Sequence, residues 1–479
     1  MKLHEGYSGI MEPVTVSQIC RATGGRVVSR GHVSHFVTGI SIDSRSTKPG
    51  DCFFALRGRS KDGHLFIQDA GARGAHAIIC KRFVRKPNNN DVHVILVNDT
   101  LKALQKLAKW YRARYPVTVI GVTGSNGKTT TKEMLTSILQ CALGRQSVVS
   151  SPGNYNSQIG LPLSVFGLNR KTKAAVFEMA ADNRGQIRQL ASIARPKYGI
   201  VTGCDPAHLQ FFGNINNIIQ GKLELVSSLP ANGKAIINGD NKELGARART
   251  LTKRALFFGL GDNLSVHPEN IRKTPSGLSV TIKLPGKNGT RKSQGSSITV
   301  QVRAYGDGYV RDVLAAASAA KIMEVSNDCI RRGLAGWRLS PYHFKMHKIN
   351  GATLLDDSYN ANPVSMELSI HAVIDHFSRC RHILVLGPML ELGHSSRFWH
   401  RRIGTQVASL PVDALIVVSK TAAPIADAAV ERGFDRNQCF WYKECRPAAR
   451  RLKKLIKPGD VVLVKGSRAA HLEQVIKYM

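Results

Sequence analysis

Gly121-Val122-Thr123-Gly124-Ser125-Asn126-Gly127-Lys128-Thr129-Thr130 is the stretch whose reading decides the fold. The run before it, Val117 to Val122, is apolar and β-branched, which predicts a buried strand. After it, Met134, Leu135, Ile138 and Leu139 recur at helical spacing. Strand, glycine loop and helix in that order turn backbone N–H groups toward one point, where an anion also meets the positive end of the helix dipole. Thr123, Gly124, Ser125, Asn126, Gly127, Lys128, Thr129 and Thr130 are therefore candidate ATP-binding residues. Lys128 is placed to reach β- and γ-phosphate oxygens, and Thr129 to offer a hydroxyl to a magnesium ion. Gly121 and Gly127 are one residue further apart than the general P-loop pattern requires. An ordinary strand-to-helix turn does not explain why a lysine follows the last glycine.

Composition bounds the rest. A chain of 479 residues corresponds to about three domains at roughly 150 residues each. No apolar run approaches the roughly 18 residues of a spanning helix. Met1 to Gly6 carries no apolar signal-peptide region, and Met11 is an alternative start. The 9 cysteines form no Cys-x-x-Cys pair, which favours a reduced cytoplasmic compartment over a disulfide framework. The net charge of +35 fits a nucleic-acid partner, polyanionic small substrates or a host with generally basic proteins. Its Lys and Arg residues are spread out and not interleaved with aromatics, so no nucleic-acid partner is expected.

Outward from the P-loop the chain reads as α/β throughout, in three domains: 1–105, a small N-terminal α/β unit; 106–330, a central parallel-sheet P-loop domain; and 331–479, a Rossmann-like C-terminal domain. Loops are expected at 85–91 and 286–296, and a boundary near 325–337. Residues 264–303 read as strands around a long hairpin loop. In the first domain Asp43-Ser44-Arg45 is either a turn with an exposed charge pair or a phosphate or uracil contact, and the residues alone favour the turn. In the second, Asn154 and Asn156 sit in an amide-rich segment whose side chains both donate and accept. Glu178 ends an apolar strand, where parallel sheets keep their ligand crevice, and can hold magnesium. His208 is a second metal ligand or a packed loop residue. Lys222 lies on a helix, where a solvated face is the default. In the third, polar loops follow the strands at Asp356–Pro363, Gly387–Gly393 and Lys465–Arg468.

These motifs resemble the Mur ligases of peptidoglycan synthesis, and within them the members that add D-alanyl-D-alanine. The resemblance covers nearly the whole chain. It rests on the P-loop with its extra residue, on Asp43-Ser44-Arg45 with Asp62-Gly63-His64, on Asp357-Ser358-Tyr359-Asn360-Ala361-Asn362-Pro363, on Met389-Leu390-Glu391-Leu392-Gly393 and on Lys465-Gly466-Ser467-Arg468. It implies a cytoplasmic, monomeric enzyme that couples ATP hydrolysis to amide formation. The terminal carboxylate of UDP-N-acetylmuramoyl-tripeptide would take the γ-phosphoryl group as an acyl phosphate, and the amine of D-alanyl-D-alanine would displace phosphate. The cofactors implied are ATP and Mg2+. The resemblance makes Lys128, Lys222 and His208 catalytic, and Thr129, Glu178, His208 and a carbamylated Lys222 metal-binding. It assigns Asp357 and Asn360 to ATP, and Ser44, Arg45, Asn154, Asn156, Asn362, Lys465 and Ser467 to substrate.

The chain departs from that family pattern at the end that reads the nucleotide base. Gly308, Tyr309 and Asp312 stand where the family has His-Asn and Asn, and Phe344-Lys345 where it has Gly-Arg. Pro388 replaces an Asp, Gly203 an Asn, and Ser157 one of the paired asparagines. Lysine cannot copy the planar fork of arginine. Base recognition is expected to be loosened, with comparable use of ATP and GTP. Rival readings are another amino-acid ligase of the superfamily, a non-catalytic nucleotide-binding relative and a nucleic-acid-binding P-loop protein.

Overall fold

The computed structural model describes residues 9–31, 36–58, 61–82, 92–274, 277–286, 295–339 and 344–479. The expected loop at 85–91, most of the 286–296 loop and the first eight residues lie outside that set. Three six-stranded sheets follow one another along the chain, each covered by helices.

The first sheet runs in the order Gly9–Thr15, Phe36–Ser41, Asp51–Phe54, Ala77–Cys80, His93–Leu96, Arg26–Ser29. Its four inner strands are parallel and its two edges antiparallel. The second sheet is wholly parallel, in the order Ala255–Phe258, Lys234–Asn238, Tyr198–Val201, Thr118–Thr123, Ala174–Glu178, Val148–Ser150. Its strands are apolar on both faces because helices cover both, as a parallel sheet requires. The P-loop strand Thr118–Thr123 lies inside this sheet, next to the strand that ends in Glu178. The third sheet is parallel except for its edge strand Lys345–Ile349. The order from that edge is Ala352–Asp357, Val461–Lys465, His382–Leu386, Ala414–Val418, Cys439–Tyr442.

Two details position the site. Gly121 and Gly199 are register partners on adjacent central strands, and a Cβ on either would lie 3.0 Å from the Leu225 side chain. Their bare backbones let the helix Ile215–Ser227 settle onto the sheet, which fixes the depth of Lys222. The region expected to hold a boundary, 325–337, contains the helix Asn327–Gly336. It packs so closely on the P-loop helix Lys128–Leu143 that a Cβ on Gly333 would lie 2.4 Å from Ile138 Cα. Residue 330 therefore falls within a helix, and residue 105 within another, Thr100–Arg112. The strands expected over 264–303 form a three-stranded antiparallel meander, His267–Thr274, Gly277–Leu284 and Ser296–Val302, packed over the Asp307–Ile322 helix. Among the described residues no helix is long and apolar enough to cross a membrane.

Candidate active site

The P-loop bridges the strand Thr118–Thr123 and the helix Lys128–Leu143. Gly127, at the N-cap, holds φ +77°, a left-handed conformation that glycine adopts without cost. The loop is braced from the next strand end. Ser125 N–H donates to Gly203 O at 2.9 Å, Thr202 Oγ1 donates to Asn126 O, and Asn126 Nδ2 donates to Asp205 Oδ2 at 2.7 Å. Lys128 Nζ curls back onto the carbonyls of Gly124 and Ser125, 2.9 Å from each. Burial holds its ammonium below the usual lysine range. Neutral carbonyls, with no ion pair among the described residues, leave that charge available to an anion in the loop.

Beside the lysine, Glu178 gathers four groups. Thr129 Oγ1 donates to its Oε2 at 2.9 Å and Asn156 Nδ2 to its Oε1 at 2.7 Å. Its own N–H donates to Ser151 Oγ at 3.1 Å, and Lys132 Nζ stands 4.0 Å from Oε2. The Thr129 hydroxyl and a buried carboxylate are hard oxygen donors of the type magnesium takes, so these two residues fit the expected ion. Asn154 contributes a backbone carbonyl that accepts from Asn156 N–H at 2.7 Å.

Lys222 corrects the default sequence reading of a solvated face. It is 2% exposed, its Nζ lying 3.3 Å from Ala181 O and 5.5 Å from the centre of the Phe212 ring. Burial, with the positive charge of Lys128 adding to it, pushes its ammonium down to about 7. Near neutral pH about half of such a lysine is the free amine, which an ordinary lysine is not.

His208 does not join Glu178. It sits at φ +55° ahead of the turn Leu209–Phe212, and its Nδ1 lies 2.5 Å from Glu391 Oε2 in the C-terminal Met389–Gly393 loop. Gln210 N–H donates to Glu391 O at 3.0 Å in the same contact. Among the described residues no three His, Cys, Asp or Glu side chains converge as a metal cluster.

The C-terminal loops meet the P-loop at Asn362. This residue caps the helix Pro363–His376 in a capping box with Ser365. Its Nδ2 donates to Asn126 Oδ1 at 2.7 Å, and Asn126 Nδ2 returns a longer bond of 3.4 Å. Asp357 and Lys465, register partners on adjacent strands, form a buried ion pair at 2.5 Å. Ser369 Oγ donates to Asp357 at 2.7 Å, and Lys465 Nζ also donates to Asn360 O at 3.1 Å. Ser467 Oγ accepts from Leu390 N–H at 3.0 Å and donates to Ala361 O at 3.3 Å. Asp357, Asn360, Lys465 and Ser467 thus form one network that shapes the loop. Ser44 and Arg45 stand apart in the N-terminal unit, where the Arg45 guanidinium grips Asp43 through two nitrogens at 2.6–3.0 Å. This is the exposed charge pair the sequence suggests.

Lys132 and Asp205 escaped the sequence reading, and Glu391 entered it only as part of a loop motif, with no role of its own. Lys132 shares helical spacing with Leu135 and Leu139, a signal that puts it on the buried face. A cavity of about 630 Å³ lies at the other end of the same central strands, lined by Lys109, Arg112, Arg195 and Lys197, and holds none of the site residues.

Comparison with known proteins now decides the family. The Mur ligase family catalytic domain matches residues 36–112, the Mur ligase middle domain 122–320 and the Mur ligase glutamate ligase domain 344–468. UDP-N-acetylmuramoyl-tripeptide–D-alanyl-D-alanine ligase of Bacillus subtilis (strain 168) is 31% identical over 465 residues, 97% of each chain. The chain belongs to the Mur ligase family. Among solved structures, this Mur ligase superposes on MurF from Acinetobacter baumannii with a TM-score of 0.85 at 28% identity, covering 98% of this chain and 99% of that one. MurF ligase from Thermotoga maritima, solved in complex with ADP, gives 0.78 at 29% identity, with 92% and 96% covered.

Proposed function

We propose that this Mur ligase joins D-alanyl-D-alanine to UDP-N-acetylmuramoyl-tripeptide at the expense of ATP, in the cytoplasm. The relatives carrying that name support the reaction, and the ADP complex of the Thermotoga protein supports the nucleotide. The observation that carries the reading is the Asn126–Asn362 pair, which sets the C-terminal loop against the P-loop. The phosphate cradle and the loop assigned to the incoming amine thereby face each other.

In this mechanism Thr123–Thr130 cradle the phosphates, and Lys128 leaves its carbonyls to neutralise the transferring phosphoryl group. The tripeptide carboxylate attacks the γ-phosphorus and ADP departs. The dipeptide amine then attacks the acyl carbon, loses its proton, and inorganic phosphate leaves. Thr129 and Glu178 would hold Mg2+, which would supply charge neutralisation. Lys222, as the free amine, would add to CO2 and release one proton to solvent, giving a carbamate whose oxygens would be further metal ligands, and His208 would offer a ring nitrogen once free of Glu391. Asn154 and Asn156 orient the tripeptide end, and Asn362, Lys465 and Ser467 the dipeptide end. Ser44 and Arg45 meet the UDP moiety. Asp357 and Asn360 act on ATP through the shape of their loop. The division 1–105, 106–330 and 331–479 describes the three functional units, the last closing as a lid. The enzyme acts as a monomer.

The test is phosphate release from ATP with the UDP-tripeptide, with and without D-alanyl-D-alanine. Release is expected to depend on the dipeptide and to fall about 10²–10³-fold in Lys128→Ala. Release that ignores the dipeptide sinks the reading.

A further inference from the structure

One buried acid touches the P-loop and has no cation of its own. Asp312, on the helix Asp307–Ile322, is 7% exposed. Its Oδ1 accepts from Thr131 Oγ1 at 3.0 Å and lies 2.2 Å from where a Cβ on Gly127 would be. The carboxyl therefore presses on the bare backbone at the N-cap of the P-loop helix, and any side chain at Gly127 would collide with it. Among the described residues no ion pair reaches Asp312. Its neighbour Arg311 is turned to Asp240, Nε to Oδ2 2.8 Å, and Lys128 is held by loop carbonyls. The other titratable group set against it is Tyr309, on its own helix. A carboxylate so placed is desolvated, unpaired and beside a loop built to receive polyanionic phosphates. Each of those conditions disfavours its charge. Burial accordingly raises its proton affinity, to about 8.

A protonated carboxyl resembles an amide: one oxygen accepts, and the other end of the fork donates. We propose that Asp312 keeps its proton, so that nucleotide binding to this chain requires the neutral acid and is linked to one proton. This rests on the P-loop being a nucleotide site. Asp312 is on this account a positioning residue, acting through Gly127 and Thr131 rather than on the reacting atoms.

The experiment is a titration of the full chain with Mg-ADP from pH 6.5 to 9.5, comparing wild type with Asp312→Asn. The wild-type Kd is expected to stay level on the acid side of about 8 and then weaken toward about tenfold per pH unit, as the competent fraction falls. The Asp312→Asn profile is expected to stay level over that range. Other titrating groups, Lys222 and Lys128 included, are common to both proteins and cancel in the comparison. Parallel profiles overturn the inference. If Asp312→Asn fails to fold, Thr131→Val is used instead. Loss of the hydroxyl that favours the charged form moves the midpoint to higher pH, and an unmoved midpoint overturns the inference. Absence of ADP binding at every pH in the wild type rejects the nucleotide reading and this inference with it.

Discussion

The two walls of the cleft between the central and C-terminal sheets hold their charges in opposite ways. On the P-loop wall Lys128 and Lys222 rest on neutral carbonyls and an aromatic ring, and Asp312 rests on a hydroxyl. On the C-terminal wall Lys465 and Asp357 are joined at 2.5 Å, 3% and 6% exposed, with Ser369 and the Asn360 carbonyl completing the set. Buried charges without counterions are costly, so the first wall stores free energy that an anionic substrate and a cation can relieve. The second has already spent its charges on shape. Pairing thus separates Lys222 and Asp312 from Lys465 and Asp357, although all four are buried.

The largest effect expected from that contrast is structural. Lys465→Met leaves Asp357 buried and unpaired, which costs about 3–5 kcal/mol of local stability. Hydrogen exchange should quicken in Ala352–Asp357 and Val461–Lys465 while the P-loop strand keeps its protection. Adding Asp357→Asn should restore part of the loss. Unchanged protection in the single variant would show that the pair is not framework.

Why one wall was legible in the sequence and the other was not follows from distance along the chain. The P-loop is contiguous, so strand, glycines and lysine fall in one window, and Glu178 is found because its strand ends beside it. Lys465 and Asp357 are 108 residues apart and meet only through strand register. No local pattern carries that. Lys222 lay between these cases. Ile218, Ile219, Leu225 and Val226 share its helical face, so the spacing that found the core could have found it, but a lysine defaults to solvent. Asp312 showed as a departure from a family pattern, while its contact with Gly127 needed coordinates. The family-level reading of three α/β units survived because each unit repeats strand and helix locally. Its expected cuts fell inside helices because a helix crossing between units has the same periodicity as one within them.

The next effect concerns the unpaired wall. If Lys222 is the free amine near neutral pH, 13C-bicarbonate should give a carbamate carbonyl resonance absent from Lys222→Arg. The sign is set by the lowered value of about 7. The amine is mostly protonated below it, so the resonance should grow as pH rises through 7 and vanish on the acid side. Lys222→Ala should lower turnover about 10–100-fold, the range for losing a group that supports a metal site. A resonance equally strong in the arginine variant would place the carbamate elsewhere.

The smallest effect lies where the two walls touch. The His208 and Glu391 side chains are 37% and 47% exposed, so their contact is worth no more than about 1 kcal/mol. Glu391→Gln should therefore move an open–closed equilibrium by about fivefold at most, read from X-ray scattering in solution. It also frees the His208 ring. If His208 serves a metal ion, the variant should reach half-maximal turnover at lower magnesium, because the ring no longer has to leave a carboxylate first. If His208 only docks one wall on the other, the scattering changes and the magnesium dependence does not. The same substitution thereby decides whether this histidine belongs with the groups left unpaired for ligand or with those already committed to shape.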